Sequence, residues 1–445
     1  MNVQPQPIRT AAEQALLALL ERRLAGPAVD GPLAGRIGEL RRAAHAAFAA
    51  NGLPHRRVEE WKYTDLRGFL REAAPAATAL GISDGASAPS AVAFPGARRI
   101  LFVDGQLSPA GSDLADLEPG LTVVPLAQAM AVGRGTVEKF GTLAPQRYDG
   151  VLALNTAFFG DGLVIQIADG AKIERPLHVA HLVTHDHPVA TYTRRLVEVG
   201  EGAAFTLVES FEGRSGVPYQ VNDALELFVG DTGHMDYVRL QDDSETALHL
   251  STVMVDIGRD AKFHAFGLTT GAIASRVSLY GRFSGTHSHA GIRGVTLLKD
   301  RQHADVTLLL DHAVAHCESR ELFKTVLFDE TRGVFQGKIV VRPDAQKTDG
   351  RMMSQALLIG ETAEMDNKPE LEIFADDVQC GHGATAGALD EDLLFYLKAR
   401  GLPAKEAEAL LIQAFVGEAL EFVEEEGLRE ALIARAERWL NARTG

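Results

Sequence analysis

Between Arg99 and about Val378 the chain repeats one local pattern: short β-branched and apolar runs, such as ILFV, LVIQI, RRLVEV and KIVVRP, separated by turns rich in glycine and aspartate. Gly160-Asp161-Gly162, Asp169-Gly170, Gly200-Glu201-Gly202 and Gly230-Asp231-Thr232-Gly233 are such turns. A stretch of this kind builds strands, and convincing long helices are absent from most of it. Sandwich, barrel and β-helix all satisfy the pattern. Its length without a domain-like linker favours an elongated stack, because each coil then buries its inner face on the next.

The period changes on both flanks. Thr10 followed by Glu13 ahead of an apolar run has the spacing of a capping box, which starts a helix running through about Leu24. Leu33, Ile37, Leu40, Ala44 and Phe48 then recur at steps of three or four, a second helix that Asn51-Gly52 ends. Past the segment WKYTDL, residues 73–98 are rich in Ala, Pro, Ser and Gly and read as a linker. Beyond residue 385 the helical period returns. Asp390 caps a helix with Glu391 and Asp392 in its first turn and Lys398 and Arg400 in its last, and Gly401 stops it. Pro403 begins the next, striped by Ala407, Leu410, Leu411, Ala414, Phe415, Leu420 and Val423; Leu428, Leu432, Arg435 and Trp439 belong to a last short helix. The expected organisation is a helical domain over residues 1–72, a linker over 73–98, a β core over 99–385 and a helical domain over 386–445.

Composition removes several function classes. The net charge of -16, from 44 basic and 60 acidic residues with no local basic patch, argues against nucleic acid as a partner. No apolar segment approaches a membrane span, and the first residues lack the basic-then-apolar order of a secretory signal, so no membrane association and a cytoplasmic location are expected. Two cysteines, Cys317 and Cys380, are too few for a disulfide framework. The stretch Gly333–Ile339 has glycines too closely spaced for a phosphate loop, and Ile339 stands where a magnesium-holding hydroxyl belongs. HExxH and CxxC are both missing from the sequence.

The pair of most chemical interest is Cys380 and His382 in ADDVQCGHGAT. In an extended segment their side chains share one face, on the order of 6 to 7 Å apart. Thiolate and imidazole suit iron or a nascent iron-sulfur centre, and Gly381 and Gly383 let a second backbone or a bulky inorganic group come close. Stable clusters usually take four ligands, so further donors have to come from elsewhere. The plainer alternative is a buried thiol and an ordinary histidine at a sheet-to-helix junction. A second concentration comprises His287, His289, His303, His312, His316 and Cys317, with His287 and His289 expected on one strand face and His312 and His316 on another. Metal binding by stacked strands and a structural or surface role are both open to these residues.

Several stretches together resemble one family, the SufB/SufD proteins of iron-sulfur cluster assembly: EEWKYTDL at 59–66, LNTAFFGDG at 154–162, FQGKIVVRPDAQKTDG at 335–350, CGHGAT at 380–385 and EDLLFYLKARGL at 391–402. Within it the resemblance is to the SufD branch. The chain has WKYTDL, carries Gly383 where SufB-like chains have glutamate, and reads ELEIFAD where they have a cysteine. The resemblance implies a right-handed parallel β-helix core flanked by helical domains. It also implies a non-catalytic scaffold that pairs with SufB, with a homodimer as the alternative when SufB is absent. The SufC ATPase would dock on the C-terminal helices, around Asp390, Leu394, Tyr396, Leu410 and Phe415. His382 and Cys380 are then the implied ligands of a transient cluster shared with SufB, while ATP is bound by SufC and not by this chain. The rival reading is an independent metalloenzyme using the histidine-rich strands. A carbohydrate-acting β-helix is poorly supported by 7% aromatic content and two tryptophans, both in helical regions.

Overall fold

The computed structural model describes residues 9–26, 30–77 and 93–444. Helices α1 (Ala11–Ala25), α2 (Ala34–Asn51) and α3 (Leu66–Phe69) open it. Strands β1 (Arg98–Val103), β2 (Gln106–Ser108) and β3 (Leu121–Pro125) follow, then helices α4 (Leu126–Val132) and α5 (Gly150–Phe158). The strand run begins with β4 (Asp161–Ile167), β5 (Leu177–Val183), β6 (Ala190–Val199), β7 (Ala204–Gly213) and β8 (Gln220–Val229). It continues with β9 (His234–Asp242), β10 (Leu248–Ile257), β11 (Lys262–Thr269), β12 (Ala274–Phe283) and β13 (His289–Leu298). It ends with β14 (His303–His312), β15 (Glu318–Leu327), β16 (Arg332–Val341), β17 (Asp349–Leu358), β18 (Glu364–Ile373) and β19 (Gln379–Gly387). Helices α6 (Glu391–Ala399), α7 (Ala404–Leu420) and α8 (Glu426–Thr444) close the chain.

From β4 onward the even strands form one sheet and the odd strands another, each strand lying parallel to the one two places along. The chain therefore winds a two-sheeted β-solenoid of about 8 coils. Ala190 is in register with Gln220, Gln220 with Leu248, Leu248 with Ala274, Ala274 with His303, His303 with Arg332 and Arg332 with Glu364. One coil thus takes roughly thirty residues, a solenoid-like period. The constant register stacks like on like: Leu225, Val253, Leu279 and Leu308 form one buried inward column of the even sheet. Leu207, Tyr237, Ala265 and Ile292 form a facing column of the odd sheet.

The corners repeat as regularly as the strands. At each passage from an even strand to the next odd one between β4 and β17, a residue takes positive φ: Gly170, Gly202, Thr232 (54°), Asp260 (54°), His287 (62°), His316 (59°) and Lys347 (64°); the last passage, from β18 to β19, has none. The turned amide can then bond across to the next coil, as Gly202 does to the Asp231 carbonyl at 2.8 Å and Thr232 to Arg259 at 2.7 Å. The corner, not a ligand set, therefore positions two of the histidines. His287 and His289 do not share a strand face; His287 and His316 stack ring on ring at 4.7 Å on exposed corners. His289 opens β13 and His312 ends β14.

Inside the first coils the core is ionic. Arg195 pairs with Glu209 and with Asp223 at 2.5 Å each, with all three side chains 0% exposed. Tyr237 donates to Glu209 at 2.7 Å, and Thr193 and Ser251 each donate to Asp223 at 3.0 Å. Desolvation works against every charge in this layer, and opposite charges plus neutral donors compensate for it.

Both helical ends dock on outer sheet faces. The capping box of Thr10 and Glu13 forms as expected, and Gly52 ends α2 at φ 71°. WKYTDL is a structural anchor: the Arg276 guanidinium lies 3.9 Å over the Trp61 ring and donates to the Glu60 carbonyl, while it pairs with Asp305. Thr64 bonds His303 at 2.9 Å. On the odd sheet, Ile412, Val416 and Leu420 of α7 and Leu428, Leu432 and Trp439 of α8 cover Val238, Phe266, Val295 and Val326.

Some boundaries differ from expectation. Helices α4 and α5 lie inside the range expected to be strand; at 7 and 9 residues they are too short to show a helical period. The LNTAFFGDG stretch spans the end of α5 and the start of β4. The last strand runs to Gly387, and the last helix is 19 residues long, not short. Of the expected linker, residues 78–92 lie outside the described residues.

Replacing Arg195 with methionine strands Glu209 and Asp223 in the core. The expected cost is about 3–5 kcal/mol, seen in calorimetry as a large fall in the unfolding midpoint.

Candidate functional site

The two ends of the solenoid are built differently. At the start, β2 and β3 pair antiparallel with β1 and β4. At the other end β18 pairs with β16 and β19 with β17, and neither has a further neighbour among the described residues. Each therefore leaves one backbone edge unpaired, and no residue of either strand is buried. The two edges differ in chemistry. Strand β18 carries Pro369 and the charged residues Glu364, Asp366, Lys368, Glu370 and Glu372. Strand β19, QCGHGATAG, is uncharged apart from its histidine and rich in glycine.

Cys380 and His382 both sit on β19, in register with Gly350 and Met352 of β17. They continue inward-facing columns, so the same-face expectation holds. Cys380 is half-buried against the end of the solenoid core, and His382 is exposed. A Cβ built on Gly381 meets nothing within 4 Å, whereas one on Gly383 lies 2.7 Å from Met353 Cε. The space beside Gly381 is thus open to a second molecule, while beside Gly383 it is filled by the flexible end of the Met353 side chain.

A cleft of about 520 Å³ surrounds the pair, lined also by Arg293, Arg320, Arg351 and Glu321. Arg320 donates to Asp349 at 2.6 Å and Arg351 at 3.3 Å, while Arg293 bonds the Glu418 carbonyl at 3.1 Å. Glu321 replaces an apolar residue in the inward column that runs Ile292, Glu321, Met352, His382. Neither of its carboxyl oxygens meets a hydrogen-bond partner among the described residues. Burial pushes its pKa up to about 8, with the Arg320 charge offsetting only part. At neutral pH it is therefore largely a carboxylic acid, able to donate. Burial also raises the Cys380 thiol; the Gly350 amide opposes this, and the charges of Asp349 and Glu321 add to it. The cleft thus combines a protonated thiol, an exposed imidazole, a neutral acid and three guanidinium groups, a setting for an anionic or soft inorganic guest. Glu321 and the arginines belong to no motif. The one sequence signal for Glu321 is a charged residue where neighbouring coils carry tyrosine, alanine and isoleucine.

The histidine-rich stretch is not brought together as a site. Burial lowers His303 and His312 to pKa values of about 4 each, and both are engaged, His303 with Thr64 and His312 with Ser319 at 3.1 Å. Cys317 is fully buried, donating to backbone carbonyls. Gly333–Ile339 lies wholly within β16, so it forms no loop around a phosphate.

In the C-terminal unit Asp390 caps α6, accepting from the amides of Asp392 and Leu393. Helix α6 has no buried residue: Leu393, Phe395 and Tyr396 are 51%, 72% and 53% exposed, Leu410 on α7 is exposed and Leu394 is half-buried. Phe415 instead turns to the sheet, with the Lys324 ammonium 4.4 Å over its ring.

Comparison with known proteins gives two family profiles. "SUF system FeS cluster assembly, SufBD core domain" matches residues 181–415, and "SufBD protein N-terminal region" matches residues 28–179. An iron-sulfur cluster assembly SufBD family protein of Synechocystis is 30% identical, covering 93% of this chain and 92% of its own. The iron-sulfur cluster assembly protein SufD of Escherichia coli is 29% identical over 86% of this chain and 88% of its own, and SufD of Bacillus subtilis 24% identical over the same shares.

Alkylation of Cys380, followed peptide by peptide with mass spectrometry, should show a pH midpoint above the ordinary thiol value of about 8.5. Glu321→Gln should move that midpoint down, and Cys317 should stay unmodified in the folded chain.

Proposed function

The chain belongs to the SufBD family of iron-sulfur cluster assembly proteins, and on that premise we propose that it is the SufD-type scaffold of a SUF complex. It pairs with SufB through the open end of its solenoid and carries the SufC ATPase on its C-terminal helices. The observation that carries this reading is the coincidence of the unpaired strand edges with the Cys380 and His382 cleft. A partner strand laid along β19 satisfies its free backbone groups and brings the partner's side chains over the same cleft.

In this arrangement the cluster is cargo. His382 offers an imidazole and Cys380 a thiol that must first lose its proton, and SufB supplies the remaining ligands of the usual four. Arg293, Arg320 and Arg351 favour sulfide and other anionic sulfur species, and Glu321 donates to or takes a proton from them near its pKa. The chain itself performs no ATP chemistry; ATP belongs to SufC. The exposed apolar residues of α6 are the docking surface for that partner. Force applied there is carried by α7 to the odd sheet through Lys324 and Glu418, 2.6 Å apart on β15 and α7. Strand β15 neighbours β17, which neighbours β19. Two free thiols suit a reducing cytoplasm. The independent metalloenzyme is the weaker reading, because His303 and His312 are buried and already engaged.

In a reconstituted complex, His382→Ala should lower cluster formation on the order of tenfold while SufB and SufC still co-purify; unchanged yield refutes the ligand role. Removing the whole C-terminal unit would uncover the apolar face of the odd sheet, so the docking test is Phe395→Asp. It should weaken SufC binding by about 2 kcal/mol, roughly thirtyfold, with SufB binding and the thermal midpoint unchanged. Undiminished SufC binding refutes docking on α6.

A further inference from the structure

A second set of metal-ligating side chains lies on the outer face of the odd sheet, beneath the turn that joins α7 to α8. His234 opens β9, Asp236 is two residues further on, and His264 on β11 is in register with Asp236. His234 Nε2 is 3.1 Å from Asp236 Oδ1, and His264 Nδ1 is 3.4 Å from the same oxygen. One ligand atom from each residue lies within 4.8 Å of the other two. A tetrahedral ion with bonds of about 2.0–2.2 Å spaces its ligand atoms by roughly 3.3–3.6 Å. The two short separations are close to that spacing.

Three further observations distinguish this group from an aspartate that merely orients two histidines. His264 Nδ1 is enclosed and falls outside hydrogen-bond geometry with any described partner. A cavity of about 30 Å³ adjoins it, lined by Asp236, His264, Phe422, Glu424 and Glu425, which is room for an ion or a single water. The Phe422 ring, 5.0 Å from that of His264, closes one side, and the exposed Glu424 belongs to the same lining.

We propose that His234, Asp236 and His264 bind one divalent transition-metal ion, with Glu424 of the α7–α8 turn as a fourth donor. Two imidazoles with one or two carboxylates suit Zn²⁺ or Fe²⁺ and offer little to Mg²⁺ or Ca²⁺. The bound ion ties the C-terminal helical unit to the sheet it covers. The site lies apart from the Cys380 cleft and stands whether or not that cleft holds a cluster.

The test uses the full chain carrying Cys380→Ser and His382→Ala, which removes the competing soft donors. After chelator treatment it is titrated by calorimetry with Zn²⁺ and, anaerobically, with Fe²⁺. Expected is one equivalent of at least one ion, which identifies the metal, and a rise in thermal midpoint on binding. Adding His264→Gln should weaken that binding on the order of a hundredfold and abolish the thermal shift, and Glu424→Gln should weaken it on the order of tenfold. Co²⁺ should give the visible absorption of a low-symmetry site in the parent and not in the His264→Gln variant. Uptake of neither ion, or uptake unaffected by His264→Gln, overturns the proposal.

Discussion

Everything in this molecule rests on parallel strands stacking in constant register, so that each coil supplies the surface on which the next is completed. A single slip in register would turn a whole strand's inward side chains outward. The chain guards against this with an unusually uniform set of strands and with corner residues that take positive φ at the same place in coil after coil. Stacked on this frame, inward positions become columns, and columns make each exception visible. Arg195, Glu209 and Asp223 are exceptions whose charges answer one another, so they hold the early coils together. Glu321 is an exception that lacks such answers, and it lies at the end where the stack stops.

That contrast separates structure from function in physical terms. A buried charge with partners stabilises a particular arrangement and is costly to disturb. A buried acid lacking them keeps its proton, which leaves it responsive to whatever enters beside it. The same distinction applies to the histidines. His303 and His312 are enclosed and engaged, whereas His382 projects from a strand with one free edge.

Much of the fold was legible because solenoid strands announce themselves through short apolar runs and glycine-aspartate turns, and because Thr10, Glu13, Asp390 and Gly401 are local helix signals that act over three or four residues. Helices α4 and α5 were not legible, being shorter than the window in which a helical period is detectable. Cys380 and His382 could be paired from strand alternation alone. The surroundings could not, since Arg293, Arg320, Glu321 and Arg351 come from successive coils and meet through register, a relation of roughly thirty residues that adjacency in sequence does not display. Distance in sequence also hid the cluster of His234, Asp236 and His264. The opposite error arose at His287: two residues from His289, it looked like a strand neighbour, but the corner turns it away.

The unequal edges of the final coil bear on how large an assembly this chain can build. An open solenoid end is in principle a template for endless growth, one copy seeding the next. Here β18 offers a proline, which has no amide hydrogen to give, among charges that an identical edge would repel. Strand β19 alone presents a small, nearly neutral border. A stack terminated in this lopsided way offers, in its final coil, one strand border suited to a neighbour instead of two, and that border is the one on which the cleft opens.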